Sequence, residues 1–146
     1  MATRRLVGEL LKSQTVRTVH PEQSLEMCAT VLSSNNISRV PVVDDNGQLV
    51  GLLSERDIRV AGSVPYLHPA HLDTDAVTRL KSITADEVMS RNPVSISTGT
   101  AVEDVVKLMS VRSIRGLPVV DPTTDKVVAM CTQTDMLNYL VEVLKE

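Results

Sequence analysis

Two short stretches hold the residues best placed to do chemistry. Ser54-Glu55-Arg56-Asp57 follows one aliphatic run, and Thr132-Gln133-Thr134-Asp135 follows another. A hydroxyl three residues ahead of a carboxylate starts helices, because each side chain satisfies a main-chain N–H at the first turn. The same placement turns N–H groups and the positive end of the helix dipole outward, which suits an anion such as phosphate. Asp57 and Asp135 can also accept two hydrogen bonds from a pair of cis hydroxyls. On these residues alone, capping and binding both stay open. An enzyme is not expected: there is no nucleophile elbow, no glycine-rich phosphate loop and no histidine–carboxylate arrangement. His20, His68 and His71 sit at turns or in the irregular middle of the chain. His68 and His71 lie near Asp73 and Asp75, but their loop holds two prolines and lacks a third histidine. A solvated loop is expected there, with no metal.

The elements that position these residues come twice. Val40-Pro41-Val42-Val43-Asp44 leads through Asp45-Asn46-Gly47 to Leu49–Leu53 and then Ser54; Leu117-Pro118-Val119-Val120-Asp121 leads to Val127–Cys131 and then Thr132. Asp-Asn-Gly between aliphatic runs signals a tight two-residue hairpin. Pro41 matches Pro118 at an offset of 77, and Asp57 matches Asp135 at 78, so the second hairpin loop is one residue longer. The offset of 77 also sets Leu6 on Ile83 and Ser13 on Ser90. Leu25, Cys28, Ala29 and Leu32, like Val102, Val105, Val106 and Met109, repeat at i, i+3, i+4 and i+7, one apolar helix face. Ser24 should cap the first of these helices, and a Thr100–Glu103 capping box the second. Thr18-Val19 and Ser95-Ile96 read as short extended segments. Leu72, Ala76, Val77 and Leu80 suggest a short amphipathic helix between the copies. The expected fold is α/β: β-α-β-β-α twice, with copies at 1–62 and 83–146 and a linker at 63–82.

Composition narrows the class. Hydrophobic residues are 42% and charged ones 23%, the balance of a soluble globular protein. With no Trp or Phe, a flat ligand must be held by aliphatic side chains and backbone. A net charge of −3 argues against non-specific nucleic-acid binding. Cys28 and Cys131 lie in apolar runs without metal spacing, so buried reduced thiols and a cytoplasmic location are expected. Gly8, Glu9 and Lys12 interrupt any signal-peptide core after Arg4-Arg5, and no stretch approaches the ~18 apolar residues of a membrane span.

In order, and twice, these pieces resemble the paired cystathionine-β-synthase (CBS) domain, or Bateman module. The matching text is Ile83-Thr84-Ala85-Asp86-Glu87-Val88-Met89-Ser90-Arg91-Asn92-Pro93-Val94-Ser95-Ile96, the two proline strands, and the aliphatic strand entering Ser/Thr-x-x-Asp. The resemblance spans nearly the whole chain. It implies a pseudo-twofold pair with ligand clefts between the paired sheets, and a regulatory sensor of adenosyl ligands with no catalytic cofactor. AMP, ADP and ATP lead the expected ligands, ahead of S-adenosylmethionine and NAD. Ribose would be held by Asp57 or Asp135, beside Ser54 or Thr132. Adenine would lie on Val40, Pro41 and Leu52, or on Leu117, Pro118 and Met130. Its edge would meet backbone near Thr18, or near Val94 and Ser95. Arg39 and Arg115, read as equivalent, would meet phosphate. Apolar positions Met136, Leu137, Leu140, Val141 and Leu144, with the Ile58 helix, suggest a homodimer, as is usual for such modules. The rivals are a ligand-free interaction module and a regulatory subunit serving an unknown effector such as a larger enzyme or transporter.

Overall fold

A computed structural model describes residues 4–67 and 72–146. His68 and His71 therefore lie outside the described residues. In chain order the first elements are α1 (Val7–Leu10), α2 (Leu25–Ser34), β1 (Arg39–Val43), β2 (Leu49–Ser54), α3 (Glu55–Gly62), α4 (Thr74–Ser82), α5 (Ala85–Val88) and β3 (Ser90–Arg91). They are followed by β4 (Ile96–Ser97), α6 (Val102–Arg112), β5 (Gly116–Val120), β6 (Val127–Thr132) and α7 (Gln133–Lys145). The α/β pattern expected from the repeat is present.

The compact units are not the repeated texts. One unit is Arg17–Pro93; the other joins the leading segment through Val16 to Val94–Glu146. Each copy's leader thus packs with the other copy's strands and helices. The reason is main-chain hydrogen bonding. Leader residues Val7 and Gly8 donate to the carbonyls of Thr100 and Thr98, both at 2.9 Å, and Val102 donates to Arg5 at 2.9 Å. In the other unit Ala85 and Asp86 donate to Gln23 and Pro21, at 2.9 and 2.8 Å, and Leu25 donates to Ile83 at 2.8 Å. These matched bonds relate Val7 to Ala85, an offset of 78 where the text alignment sets 77. Gly8 is needed at this approach, since a Cβ there would stand 2.9 Å from the Thr98 carbonyl oxygen.

Within Arg17–Pro93, β1, β2 and β3 form an antiparallel sheet in the order β1-β2-β3. Val19 adds a parallel bridge to Val42. Ser24 caps α2 as expected, accepting from Met27 N–H at 3.1 Å. The core gathers Val40, Val42 and Leu53 from the sheet with Leu25, Cys28 and Leu32 from α2 and Ile58 from α3. The expected linker is part of it: Val64, Leu67, Ala76 and Leu80 are buried in the same cluster. Gly51 is tight because a Cβ there would collide with the Met89 side chain.

In the other unit the sheet runs β4-β5-β6, with β4 parallel to β5 and β6 antiparallel to it. Val7, Val105, Met109, Leu117, Val119, Cys131 and Met136 fill its core. The Thr100–Glu103 capping box does not form. Ala101 is the N-cap of α6 without a side-chain bond. Thr100 Oγ1 instead accepts from Ser97 N–H at 3.1 Å, while Glu103 and Asp104 both hold Arg4 at 3.0 Å.

The first hairpin does not have the two-residue loop the sequence suggests. Asp44 N–H bonds Gln48 and Gly47 N–H bonds Asp44, closing a three-residue loop with Gly47 left-handed at φ 78°. Asp44 Oδ1 accepts from both Asn46 and Gln48 N–H at 2.9 Å, which fixes the turn locally. The second loop is one residue longer, and Asp125 takes the left-handed place at φ 60°. No helix among the described residues is long and apolar enough to cross a membrane.

Candidate functional site

Each unit ends its central hairpin in the same junction. At the end of β2, Ser54 Oγ accepts from Asp57 N–H at 3.1 Å, and Asp57 Oδ2 accepts from Ser54 N–H at 2.9 Å. At the end of β6, Thr132 Oγ1 accepts from Asp135 N–H at 3.2 Å, and Asp135 Oδ2 accepts from Thr132 N–H at 2.8 Å. Both are complete capping boxes. The capping role is therefore real, yet it occupies only Oδ2. Oδ1 of each aspartate makes no hydrogen bond among the described residues, and both side chains are half-buried. A carboxylate fixed by its cap still presents a second oxygen to a hydroxyl donor.

The helix starts are less open than the sequence implies. Glu55 N–H donates to Ser38 at 2.9 Å and Gln133 N–H to Arg115 at 2.8 Å. With Asp57 and Asp135 N–H capped, the amides of Arg56 and Thr134 are left without a partner among the described residues. One outward donor per helix, with the dipole behind it, remains for an anion.

Strand register decides which residues share the junction's face. Arg39 stands opposite Ser54 and Pro41 opposite Leu52 on β1–β2. Directly opposed residues put their side chains on one face, so these four belong together. Val40 pairs with Leu53 on the other face and packs in the core, so its side chain points away from the face where adenine was expected. Pro41 is itself fully buried, and on its face Arg39, Leu52 and Ser54 are the partly exposed residues. In the second unit Leu117 pairs with Cys131 in the core, and Pro118 and Met130, which face each other, are buried as well. Pro41 costs no ladder bond, because the pairing to Val19 uses its carbonyl and the N–H of Val43. Thr18 adjoins the core residue Val19 and by alternation falls on the Pro41 face. Ser95 stands likewise beside Ile96, after the exposed Val94. The main-chain groups of Thr18 and Ser95 are unengaged among the described residues.

The two arginines are not equivalent. Gly116 stands opposite Thr132, in the place Arg39 holds opposite Ser54. Arg115 corresponds to Ser38, as the matched carbonyl bonds to Gln133 and Glu55 show. It leaves the chain one residue before β5, and strand alternation turns it from the Pro118–Met130 face. Arg39 is half-buried and contacts only Ser38 Oγ, at 3.4 Å; no carboxylate pairs with either arginine among the described residues.

Other groups are less telling. Burial lifts the Cys28 thiol to about 11; burial, then the Asp135 charge, lifts Cys131 to about 12, so neither is poised as a nucleophile. His20, Glu22 and Asp45 bring ligating atoms within 4.8 Å of one another, a grouping hidden in the sequence because the hairpin delivers Asp45. Three donors, two on exposed residues, form an incomplete coordination shell, and no role is assigned to them. A hollow lined by Ala29, Leu32, Ile37, Glu55 and Leu67 includes none of the expected site residues.

A duplicated β-α-β-β-α unit, each copy with a capped Ser/Thr-x-x-Asp junction, defines a paired-domain fold, and the comparisons agree. The CBS domain family model matches residues 7–63 and 85–142. The chain therefore belongs to the CBS domain family. It is 34% identical over 97% of its length to a CBS domain-containing protein of Dictyostelium discoideum, covering 95% of that protein. Among solved structures it resembles the CBS domain pair of protein MJ0100 in complex with 5′-methylthioadenosine and S-adenosyl-L-methionine. The TM-score is 0.74 at 28% identity, over 96% of this chain and 98% of that one. The CBS-pair protein CBSX2 of Arabidopsis thaliana shares the fold at TM-score 0.80 and 22% identity, over 99% of both chains.

Proposed function

We propose that this protein is a regulatory module that binds an adenosyl ligand, AMP, ADP or ATP foremost, against the Pro41–Leu52 and Pro118–Met130 faces. The observation that carries this is the unengaged Oδ1 of Asp57 and of Asp135. Each lies beside an amide with no partner among the described residues, at the end of an apolar strand pair of which Leu52 is partly exposed and Pro41, Pro118 and Met130 are buried. Ribose hydroxyls donate to these oxygens, Thr18 and Ser95 offer backbone to the adenine edge, and Val94 flanks the second. The complex of MJ0100 with two adenosyl compounds supports the ligand class. Binding alters the module's contacts with an effector protein, and no residue here performs chemistry on the ligand. Saturation at 100 Kd should stabilise the fold by about 2.7 kcal/mol. The test is a melting curve with AMP on the chain and on its Asp57→Asn, Asp135→Asn double variant. Asn keeps an acceptor for the cap but removes the charge. A ligand-dependent shift that persists in the double variant sinks the assignment.

A ligand-free interaction module is favoured by one observation only. Leu137, Leu140, Val141 and Leu144 form one exposed face of α7, each at least half exposed. We assign this face to a homodimer of the module. Met136 and Ile58, also expected there, take no part in it, since both are buried. A monomeric mass in light scattering at high micromolar concentration would remove the dimer without touching ligand binding.

A further inference from the structure

Resting on the adenosyl reading, we infer that the two junctions sort their ligands by the charge at the 5′ position. The Ser54 junction takes an anionic nucleotide, and the Thr132 junction takes a nucleoside whose 5′ substituent is uncharged. Arg39 shares a face with Ser54, and Arg56 lies in the first turn of α3. Arg59, in the last turn, pairs with Glu55 at 3.5 Å, so those two charges offset each other and Arg39 and Arg56 remain. Gly116, Thr134 and Leu137 stand at the matching places of the other unit, which offer no cation.

The hydroxyls differ in the same sense. Thr132 Oγ1 donates to Asp135 Oδ2 at 2.9 Å, so its hydrogen is committed, and that oxygen already accepts from Thr132 N–H at 2.8 Å. Ser54 Oγ makes no such bond to Asp57, and its hydrogen remains available to a phosphate oxygen. Phosphate at the first junction therefore meets a guanidinium, a hydroxyl donor and the Arg56 amide. At the second it meets the amide and hydroxyl of Thr134, with no guanidinium; an aspartate stands at both junctions.

Calorimetry on the full chain, with AMP and 5′-methylthioadenosine as probes, tests this. Asp135→Asn leaves the first junction intact, and Asp57→Asn leaves the second. The Asp135→Asn chain should prefer AMP by roughly 10- to 150-fold, the yield of one charge-assisted pair. That preference should shrink as salt rises. Adding Arg39→Gln should abolish it, and Arg39→Lys should restore part of it, with melting curves showing both variants folded. The Asp57→Asn chain should show no preference for AMP. A preference that survives Arg39→Gln, or that stays undiminished in the Asp57→Asn chain, overturns the sorting. Failure of both probes to bind the unaltered chain instead overturns the underlying reading, and is told apart by the loss of all binding.

Discussion

The Arg17–Pro93 unit and the unit built on Val94–Glu146 close their sheets' outer edges in different ways. In the first, β3 lies against β2, with Arg91 opposite Gly51 and Ser90 opposite Leu52. In the second, no leader strand is present among the described residues. Gln14 takes its place: its side-chain carbonyl accepts from Met130 N–H at 2.6 Å, and its amide donates to Met130 C=O at 3.0 Å. One primary amide imitates the paired donor and acceptor of a strand residue. The difference follows from one extra residue in the first leader, which lies between the matched pairs Val7/Ala85 and Val19/Ile96. In this chain the main-chain groups at the matched positions Leu52 and Met130 are both satisfied, by a strand in one unit and by a side chain in the other.

The largest stability effect expected from this contrast comes from Gln14→Ala. It strips both partners from Met130 and should lower stability by about 1–2 kcal/mol. Arg91→Ala should cost under about 1 kcal/mol, because its ladder bonds are main-chain and what is lost is an exposed ion pair with the Asp86 carboxylate and an exposed bond to the Asp86 carbonyl. Urea unfolding of the two variants reads the gap. Equal losses would show that Gln14 is a surface residue and not a stand-in for a strand.

Much of the fold was legible because periodicity reports it directly. The strand pair, the α2 face, the Ser24 cap and the two junctions were visible in spacing; of the α6 face, Val102, Val105 and Met109 are buried but Val106 is exposed. The exchange of leaders was not: α1 and α5 are four residues each, and main-chain hydrogen bonds to Thr98, Thr100, Pro21 and Gln23 leave no side-chain signature. The site was legible in its aspartates and prolines, but not in its faces. A displacement of one residue reverses the direction of a strand side chain. Val40 and Leu117 therefore belong to the core although they adjoin Pro41 and Pro118. Arg115 resembled Arg39 in text but matches Ser38 in register. The Thr100–Glu103 box failed for a related reason: the leader reaches the same helix start, and Arg4 engages Glu103.

A difference of sign separates the two hairpin loops. Gly47 at φ 78° and Asp125 at φ 60° hold the same left-handed place, at matched positions before β2 and β6. Glycine has no Cβ to strain there, whereas an L residue meets a carbonyl oxygen. Asp125 is exposed, and its side chain makes no bond among the described residues to offset that strain. Its backbone N–H bonds Asp121 at 2.7 Å, a contact glycine would keep. Asp125→Gly should therefore raise stability, with relief of strain of about 1 kcal/mol partly offset by the greater freedom of an unfolded glycine. Gly47→Ala should lower it by about 1 kcal/mol. Opposite signs in paired melting curves would show that the loops share one backbone geometry and differ only in how well the residue suits it. Two losses of similar size would mean that Asp125 earns its place through an interaction of its own carboxylate.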